Sequence, residues 1–239
     1  MTTTRTETIT AADGGTFAGH VAVPDSGEGP GILLLQEIFG VNDFLKAKAD
    51  DLAALGYVVL CPDVFWRVEP GVSLPHDEAA LGQAFGYMER FMADGMQQAP
   101  ADLAAALAHL RALPEVAGRK VAAMGYCLGG RLAYELGVTA DPDAVVSYYG
   151  SGIATRLDVA VQISCPTIFH FGGSDAFIPN EDVEAIRAAF EGREGVELHV
   201  QQEAGHAFEN HLAAQFSNPA AAAASWPLTV AFLERTLRP

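Results

Sequence analysis

The chain has 239 residues and a formal net charge of −16, with 14 Lys and Arg against 30 Asp and Glu. Nucleic acids and anionic membranes are bound through clustered basic residues, so this charge argues against both as partners. Three cysteines without disulfide spacing favour a reducing cytoplasm. No run of about 18 apolar residues occurs, and residues 1–7 have no hydrophobic signal core, so neither export nor membrane insertion is expected. We expect one domain over residues 1–239, as a monomer or small homo-oligomer.

In chain order, apolar runs typical of buried strands alternate with helical stretches. This alternation favours an α/β fold with a mainly parallel central sheet and helices on both faces. Asp13, Gly14 and Gly15 lie between two alternating runs and predict an antiparallel hairpin at the sheet edge. The predicted strands are 17–23, 31–36, 57–61, 120–126, 144–149, 167–171 and 196–202, and the predicted helices are 43–55, 76–95, 101–113, 128–138, 180–190 and 220–236.

The sequence Gly125-Tyr126-Cys127-Leu128-Gly129-Gly130 has the pattern of a nucleophile elbow, with sulfur in place of the usual hydroxyl. It stands between a predicted buried strand and a predicted helix, which is where such a turn occurs. The nucleophile has strained backbone angles and closely packed neighbours, and the glycines two residues before and after it suit that geometry. Cys127 is therefore predicted to be a catalytic nucleophile.

The alternative for any cysteine is a packing role, because free cysteine is among the most buried residue types. Cys61 ends an apolar run before Pro62, and Cys165 precedes Pro166 at the start of another strand-like run. Neither has flanking glycines or a strand-to-helix turn. We interpret both as packing residues.

Two further residues follow predicted strands at the end where active sites of open α/β sheets form. Asp175 follows strand 167–171 in Gly172-Gly173-Ser174-Asp175, and His206 follows strand 196–202 in Glu203-Ala204-Gly205-His206. Alone, each is typical of an ordinary turn or loop residue. With Cys127 they give the order nucleophile, acid, histidine, which is that of α/β hydrolases. The other histidines show no metal-ligand spacing with a nearby acid, so we expect no metal and no cofactor.

These motifs resemble the dienelactone hydrolase family over nearly the whole chain. The motifs that carry the resemblance are Gln36-Glu37-Ile38-Phe39-Gly40, Cys61-Pro62-Asp63, the elbow at 125–130, Tyr148-Tyr149-Gly150, Gly172-Gly173-Ser174-Asp175 and Ala204-Gly205-His206. The resemblance implies an α/β-hydrolase fold and an ester or lactone hydrolase of the carboxymethylenebutenolidase type. It also implies a catalytic triad of Cys127, Asp175 and His206, with Glu37 as a fourth functional residue that changes the state of the thiol.

Physical chemistry supports a role for Glu37 beside the resemblance. A thiol with an ordinary pKa of about 8.5 is only a few per cent ionised at neutral pH, so a nucleophilic cysteine needs a nearby base or cation. His206, oriented by Asp175, can stabilise the thiolate as an imidazolium. Glu37, after strand 31–36, can take the thiol proton when substrate arrives. The alternative is a carboxylate that serves the local turn or pairs with a surface cation.

The predicted reaction is acyl transfer. The Cys127 thiolate attacks a carbonyl carbon, and the backbone N–H groups of Leu128 and Ile38 are predicted to hold the oxyanion. His206 then delivers a proton to the leaving alcohol, and water releases the acyl group.

The substrate is less well defined by the sequence. The resemblance implies two arginines that bind the lactone's carboxylate, one of which also holds the glutamate at rest, but this chain has Leu81 and Asn210 there. We therefore expect uncharged esters or lactones. Arg67 is the nearest candidate cation, with a solvated loop arginine as the alternative, and Tyr148 and Phe208 are candidate pocket walls. Two other functions stay open: a thiol-based redox or stress sensor acting through Cys127, and a non-catalytic protein that binds a small molecule.

Overall fold

The structure is a computed structural model that describes residues 2–238. The chain divides into two compact units at Val121. Strands that lie at the centre of each unit are buried on both faces, which is why the sequence shows them as continuous apolar runs rather than alternating ones. The predicted α/β class with helices between strands is confirmed.

The first unit contains four strands in the spatial order β1-β2-β4-β3. The predicted hairpin at Asp13-Gly14-Gly15 is present, because β1 and β2 pair antiparallel around it; β2 also pairs antiparallel with β4, while β3 and β4 are parallel. The elements are β1 (Thr3–Thr10), β2 (Thr16–Val23), β3 (Gly31–Leu35), α1 (Asp43–Ala54), β4 (Val58–Pro62), α2 (Glu78–Arg90) with a following π-helical turn (Phe91–Gly95), and α3 (Ala99–Ala112).

The second unit contains four strands in the order β5-β6-β7-β8, and every neighbouring pair is parallel. Parallel strands point their carboxyl ends to one edge of the sheet, so the loops that follow β5, β7 and β8 open on the same side. The elements are β5 (Val121–Tyr126), α4 (Leu128–Thr139), β6 (Ala144–Tyr148), a 3₁₀-helical segment (Ile153–Gln162), β7 (Thr167–Gly172), α5 (Asn180–Ala189), β8 (Val196–Gln201) and α6 (Pro219–Leu237).

The seven strands predicted from the sequence agree with the structure to within one residue at each end. The predicted helix 76–95 is corrected, because it starts two residues later at Glu78 and its last turn is π-helical. The 3₁₀-helical segment was not predicted. It joins two short helical turns across a non-helical residue, Arg156, and so lacks the period of a longer helix.

Candidate active site

The nucleophile elbow predicted at Cys127 has the expected geometry. Cys127 connects β5 to α4 with φ 53° and ψ −114°, a conformation that residues with a side chain rarely adopt. Its backbone N–H donates to the carbonyl oxygen of Tyr148 at 3.0 Å, which ties the turn to β6. The strained backbone thus holds the Cys127 side chain at the carboxyl end of β5, where it is partly exposed.

Gly125 shows why the elbow requires glycine. A Cβ atom on this residue would lie 2.2 Å from the carbonyl oxygen of Gly129 and 2.3 Å from its carbonyl carbon. Both obstacles are backbone atoms, so they cannot move aside without unwinding the start of α4. The two glycines around Cys127 therefore serve close packing of the strand against the helix.

Gly125→Ala is expected to lower the free energy of unfolding by about 2 to 4 kcal/mol, because the added methyl overlaps backbone that cannot relax. Gly82→Ala is the matched control. Gly82 lies inside α2 with open space around its Cβ direction, so alanine there should be neutral or stabilise by up to about 1 kcal/mol. Urea unfolding of the two variants measures both changes, and equal stability of the two would contradict the steric account.

The N-terminus of α4 faces the nucleophile. Cys127 is the N-cap of this helix, and its side chain makes no capping hydrogen bond. The first N–H groups of an α-helix have no partner within the helix, and here they belong to Leu128, Gly129 and Gly130. Negative charge is stabilised at such a position by these donors and by the helix dipole. The arrangement suits a thiolate or an oxyanion, as the elbow pattern predicts for Leu128.

Asp175 and His206 meet, as their positions after β7 and β8 predict. His206 Nδ1 lies 2.8 Å from Asp175 Oδ2, and the other carboxylate oxygen accepts the backbone N–H of Phe177 at 2.8 Å. The Asp175 side chain is fully buried and that of His206 is 10% exposed. With Nδ1–H donated to the carboxylate, the imidazole orientation is fixed and Nε2 is left for chemistry.

The paired glycines before Asp175 allow this contact. A Cβ on Gly172 would lie 2.4 Å from the carbonyl oxygen of Ala204, and one on Gly173 would lie 2.8 Å from Gln202 backbone atoms. The acid loop and the histidine loop therefore pack backbone against backbone. Ser174 N–H donates to the Ala204 carbonyl oxygen at 2.9 Å and completes the junction.

His206 is electrostatically coupled to Cys127. Burial alone would lower the pKa of the imidazole, but the negative charge of the Cys127 thiolate and hydrogen bonds to Asp175 and Cys127 outweigh it and raise this pKa to about 10. An imidazolium is therefore the stable form of His206 at neutral pH when the thiolate is present. This is the ion pair that activates a cysteine nucleophile.

The His206 titration provides a direct check. In the wild type its pKa should lie well above the ordinary value of about 6.5, near 10, and it should fall in Cys127→Ala, which removes the thiolate charge. A raised folded-state pKa stabilises the fold fully below about pH 6.5, and that contribution is lost as the pH rises through the folded pKa. Histidine-selective NMR measures the titration, with Cys165→Ala as the control that should leave it unchanged. A wild-type value near 6.5 would contradict the ion pair.

The other two cysteines are unlike Cys127. Burial raises the pKa of the Cys61 thiol far above its usual range, and it raises that of Cys165 to about 11. Both thiols are thus neutral at physiological pH, which agrees with the predicted packing role. Neither stands at a backbone outlier.

Glu37 belongs to the first unit and is 4% exposed. It follows β3, as predicted, and its Oε2 atom lies 3.4 Å from Nε2 of His76. His76 is itself buried, approaches the Asn42 side chain at 3.3 Å and packs against the ring of Phe39. His76 is 39 residues away along the chain and has no motif around it, so it was not predicted as a partner of Glu37. The predicted proton transfer by Glu37 and the oxyanion donor Ile38 stay predictions.

Arg67 has a different environment from the one expected for a substrate contact. Its guanidinium donates two hydrogen bonds of 2.7 Å to Asp102, lies 2.9 Å from Asp13 and covers the ring of Trp66. These ion pairs balance the positive charge of Arg67 with carboxylates of the first unit. A role in substrate binding stays a prediction that would require these ion pairs to open.

Tyr148 and Phe208, the candidate pocket walls, are both fully buried. Tyr148 directs its hydroxyl to Thr229 at 2.6 Å, and Phe208 packs against the ring of Tyr149. Substrate contact stays a prediction that would require these buried rings to be uncovered. Phe177, which the sequence analysis missed, is 52% exposed and has its ring 5.0 Å from that of His206.

Within residues 2–238, no group of three or more His, Cys, Asp or Glu side chains is arranged to hold a metal ion. None of the helices in that range has the length and apolar character needed to cross a membrane.

The strands, helices and elbow are those of an α/β hydrolase. Comparison with known proteins defines the family: the model of the dienelactone hydrolase family matches residues 17–237. The chain belongs to the dienelactone hydrolase family. It is therefore a hydrolase of the carboxylic ester or lactone class.

The names of individual relatives agree with this family. The chain is 39% identical to a carboxymethylenebutenolidase of Pseudomonas sp. (strain P51), over 87% of this chain and 86% of that protein, and 36% identical to one of Pseudomonas putida, over 91% of each. Among solved structures, a dienelactone hydrolase-like promiscuous phosphotriesterase from metagenomic libraries has a TM-score of 0.81 at 26% identity, covering 98% of this chain and 99% of that chain. A putative dienelactone hydrolase from Klebsiella pneumoniae, at 23% identity and the same TM-score, shares the fold.

Proposed function

We propose that the protein hydrolyses uncharged esters or lactones through a covalent acyl-cysteine intermediate on Cys127, with His206 as the proton carrier and Asp175 as its orienting acid. The observation that carries the proposal is the coupled geometry of His206. One ring nitrogen is 2.8 Å from the buried Asp175 carboxylate, and the charge of Cys127 raises the pKa of the same ring.

In the first half-reaction the Cys127 thiolate attacks the carbonyl carbon and a C–S bond forms. The carbonyl electron pair moves to oxygen, where the N–H of Leu128 at the start of α4 stabilises the oxyanion. As the intermediate collapses, the ester C–O bond breaks and the leaving oxygen takes the proton from His206 Nε2. The acyl group is then a thioester on Cys127, and His206 is neutral.

In the second half-reaction water attacks the thioester carbonyl and gives its proton to neutral His206. Collapse of the second tetrahedral intermediate breaks the C–S bond and releases the carboxylic acid. The imidazolium and thiolate pair is regenerated. In both half-reactions Asp175 keeps the proton on Nδ1, so that Nε2 is the atom that exchanges protons with the reactants.

The preference for uncharged substrates has support from the residues near His206. The loops at 173–179 and 203–211 contain no Lys or Arg, and Asn210 stands where the family resemblance implies an arginine. The ring of Phe177 presents apolar surface beside His206 instead. The curated relatives are named carboxymethylenebutenolidase, after a lactone with a carboxymethylene group; we propose related chemistry for this chain, with a different preference.

A panel of paired substrates tests this preference. Each pair contains a neutral ester or lactone and its analogue with a free carboxylate. We expect kcat/KM to favour the neutral member by about tenfold or more, because no basic side chain on these loops offsets desolvation of the carboxylate. A preference for the acidic members would overturn the proposed selectivity, while absence of turnover on every member would overturn the hydrolase mechanism.

The redox-sensor alternative predicts a different outcome from the same preparation. Mild peroxide would oxidise Cys127 selectively and reversibly, as expected for an accessible thiolate, and esters would not be hydrolysed.

The location in the cytoplasm and the lack of nucleic-acid or membrane partners stay predictions from composition.

A further inference from the structure

Buried polar side chains of the second unit contact two residues of α6, Ser225 and Thr229. Ser225 Oγ donates to Glu209 Oε1 at 2.7 Å. Tyr148 and Thr229 hydroxyls are 2.6 Å apart, and His170 Nε2 is 2.9 Å from the Thr229 hydroxyl. Ser225 and Thr229 lie about one turn apart on α6, so the two groups of contacts share one helix. All five residues are at most 2% exposed. We refer to them as the buried polar chain.

The protonation states of the buried polar chain fit its hydrogen bonds. Burial and then the neighbouring His199 lower the pKa of His170 to about 3, so this imidazole is neutral and carries one proton. The Thr229 hydroxyl lies between His170 Nε2 and the Tyr148 hydroxyl and can accept from one and donate to the other. A carboxylate accepts without donating, so Glu209 is the acceptor of the separate bond from Ser225.

Tyr148 is a neutral phenol in this group. Burial, followed by the negative charge of Glu209, raises the pKa of its phenol well above its usual range, so it keeps the proton it donates. Buried hydrogen bonds of this kind hold their members rigidly, because each lost bond would leave a buried polar group unpaired.

The members of the buried polar chain also hold the catalytic segments by their backbones. The Tyr148 carbonyl oxygen accepts the N–H of Cys127 at 3.0 Å, and the His170 carbonyl oxygen accepts the N–H of Tyr149 at 2.7 Å. Glu209 is three residues beyond His206, in a loop where Ala207 has φ 55°. A loop with a strained residue needs contacts that fix it, and Glu209 anchors this one to α6 through Ser225.

We propose that Glu209 is a positioning residue for the reaction: by accepting the Ser225 hydrogen bond it fixes the His206 loop on α6, the helix whose Thr229 also contacts Tyr148 beside the Cys127 elbow. This inference rests on the proposed function of the same site. It assigns Glu209 no contact with substrate. Its effect on the chemistry is transmitted through the placement of His206 relative to Cys127, where small displacements have large consequences.

Glu209→Gln tests the proposal with little change in volume, and Glu203→Gln is the matched control. The glutamine amide accepts the Ser225 hydrogen bond less strongly than the carboxylate does. Its NH₂ group also introduces two N–H donors where the wild type has an acceptor oxygen. Glu203 lies on the other side of His206 in the same loop and is exposed. We expect Glu209→Gln to lower kcat by about tenfold with KM nearly unchanged, and Glu203→Gln to change kcat by less than about twofold.

A second readout does not depend on any ester. The rate at which iodoacetamide alkylates Cys127 at pH 7, followed by intact mass far below the unfolding temperature, reports the thiolate and His206 pair directly. This rate should fall by about fivefold in Glu209→Gln and stay near wild type in Glu203→Gln. If the wild type hydrolyses no ester, the proposed function fails, and the alkylation rates still decide the role of Glu209.

Ser225→Ala provides a second variant that removes the same hydrogen bond from the donor side, with a residue that is favourable inside α6. It should reproduce the losses in kcat and in alkylation rate, and the double variant should lose no more than the larger single loss. Near-wild-type kcat and alkylation rate in Ser225→Ala and in folded Glu209→Gln would overturn the proposal. Losses that only follow the fraction of unfolded protein would overturn it as well.

Discussion

Cys127→Ala is expected to reduce ester hydrolysis by about 10⁴-fold or more, because the variant has no atom that can form the covalent intermediate. Stability should change little, since the side chain is small and partly exposed. Steady-state kinetics on the best neutral ester measures the loss. Residual activity should come only from the oxyanion site and from binding.

Cys165→Ala is the matched control for this substitution. Cys165 is also partly exposed, but burial raises the pKa of its thiol to about 11 and it lies away from the elbow. Its variant should keep kcat/KM within about twofold of wild type. If Cys127→Ala retained most of the activity, or if Cys165→Ala lost it, the assignment of the nucleophile would be wrong.

Asp175→Asn should reduce kcat by about 10³- to 10⁴-fold with a small change in KM. The asparagine keeps the size of the side chain, but its amide can donate a hydrogen bond to His206 Nδ1, where the carboxylate accepts one. The imidazole would then carry its proton on Nε2 in the neutral form and could not take a proton from the attacking water. The second half-reaction should therefore suffer most.

Pre-steady-state kinetics separates the two half-reactions of Asp175→Asn. A burst of alcohol release followed by slow turnover indicates that acyl-enzyme accumulates. Asp182→Asn is a suitable control, because Asp182 lies in the first turn of α5 and is only partly buried. A loss in Asp175→Asn that appears entirely in KM would contradict the role of this carboxylate in orienting His206.

Much of the fold could be predicted from the sequence because its central strands are buried on both faces. Runs such as Gly31–Leu35 and Val121–Tyr126 are apolar throughout, and the glycines at the elbow mark a turn whose geometry admits little else. The order of Cys127, Asp175 and His206 along the chain also predicted that Asp175 and His206 meet, and their side chains are 2.8 Å apart in the structure. These features are local in sequence or fixed by strand order.

Contacts between distant segments could not be read from such patterns. Glu37 meets His76, Arg67 meets Asp102, and Glu209 meets Ser225 across 16 residues. In each case the partner is an ordinary residue of a helix or loop, with no motif around it. The burial of Tyr148 and Phe208 could not be predicted for the same reason. Tyr148 contacts Thr229 of α6, and the Phe208 ring packs against that of Tyr149.

The central claim is that Cys127 carries the acyl group during turnover. Intact mass spectrometry of the protein, quenched at intervals after mixing with p-nitrophenyl acetate, tests it most directly. The mechanism predicts a single acetyl adduct that maps to Cys127, disappears as substrate is consumed, and is absent in Cys127→Ala but present in Cys165→Ala. Turnover without any adduct on Cys127 in Asp175→Asn, where deacylation should be slowest, would contradict it.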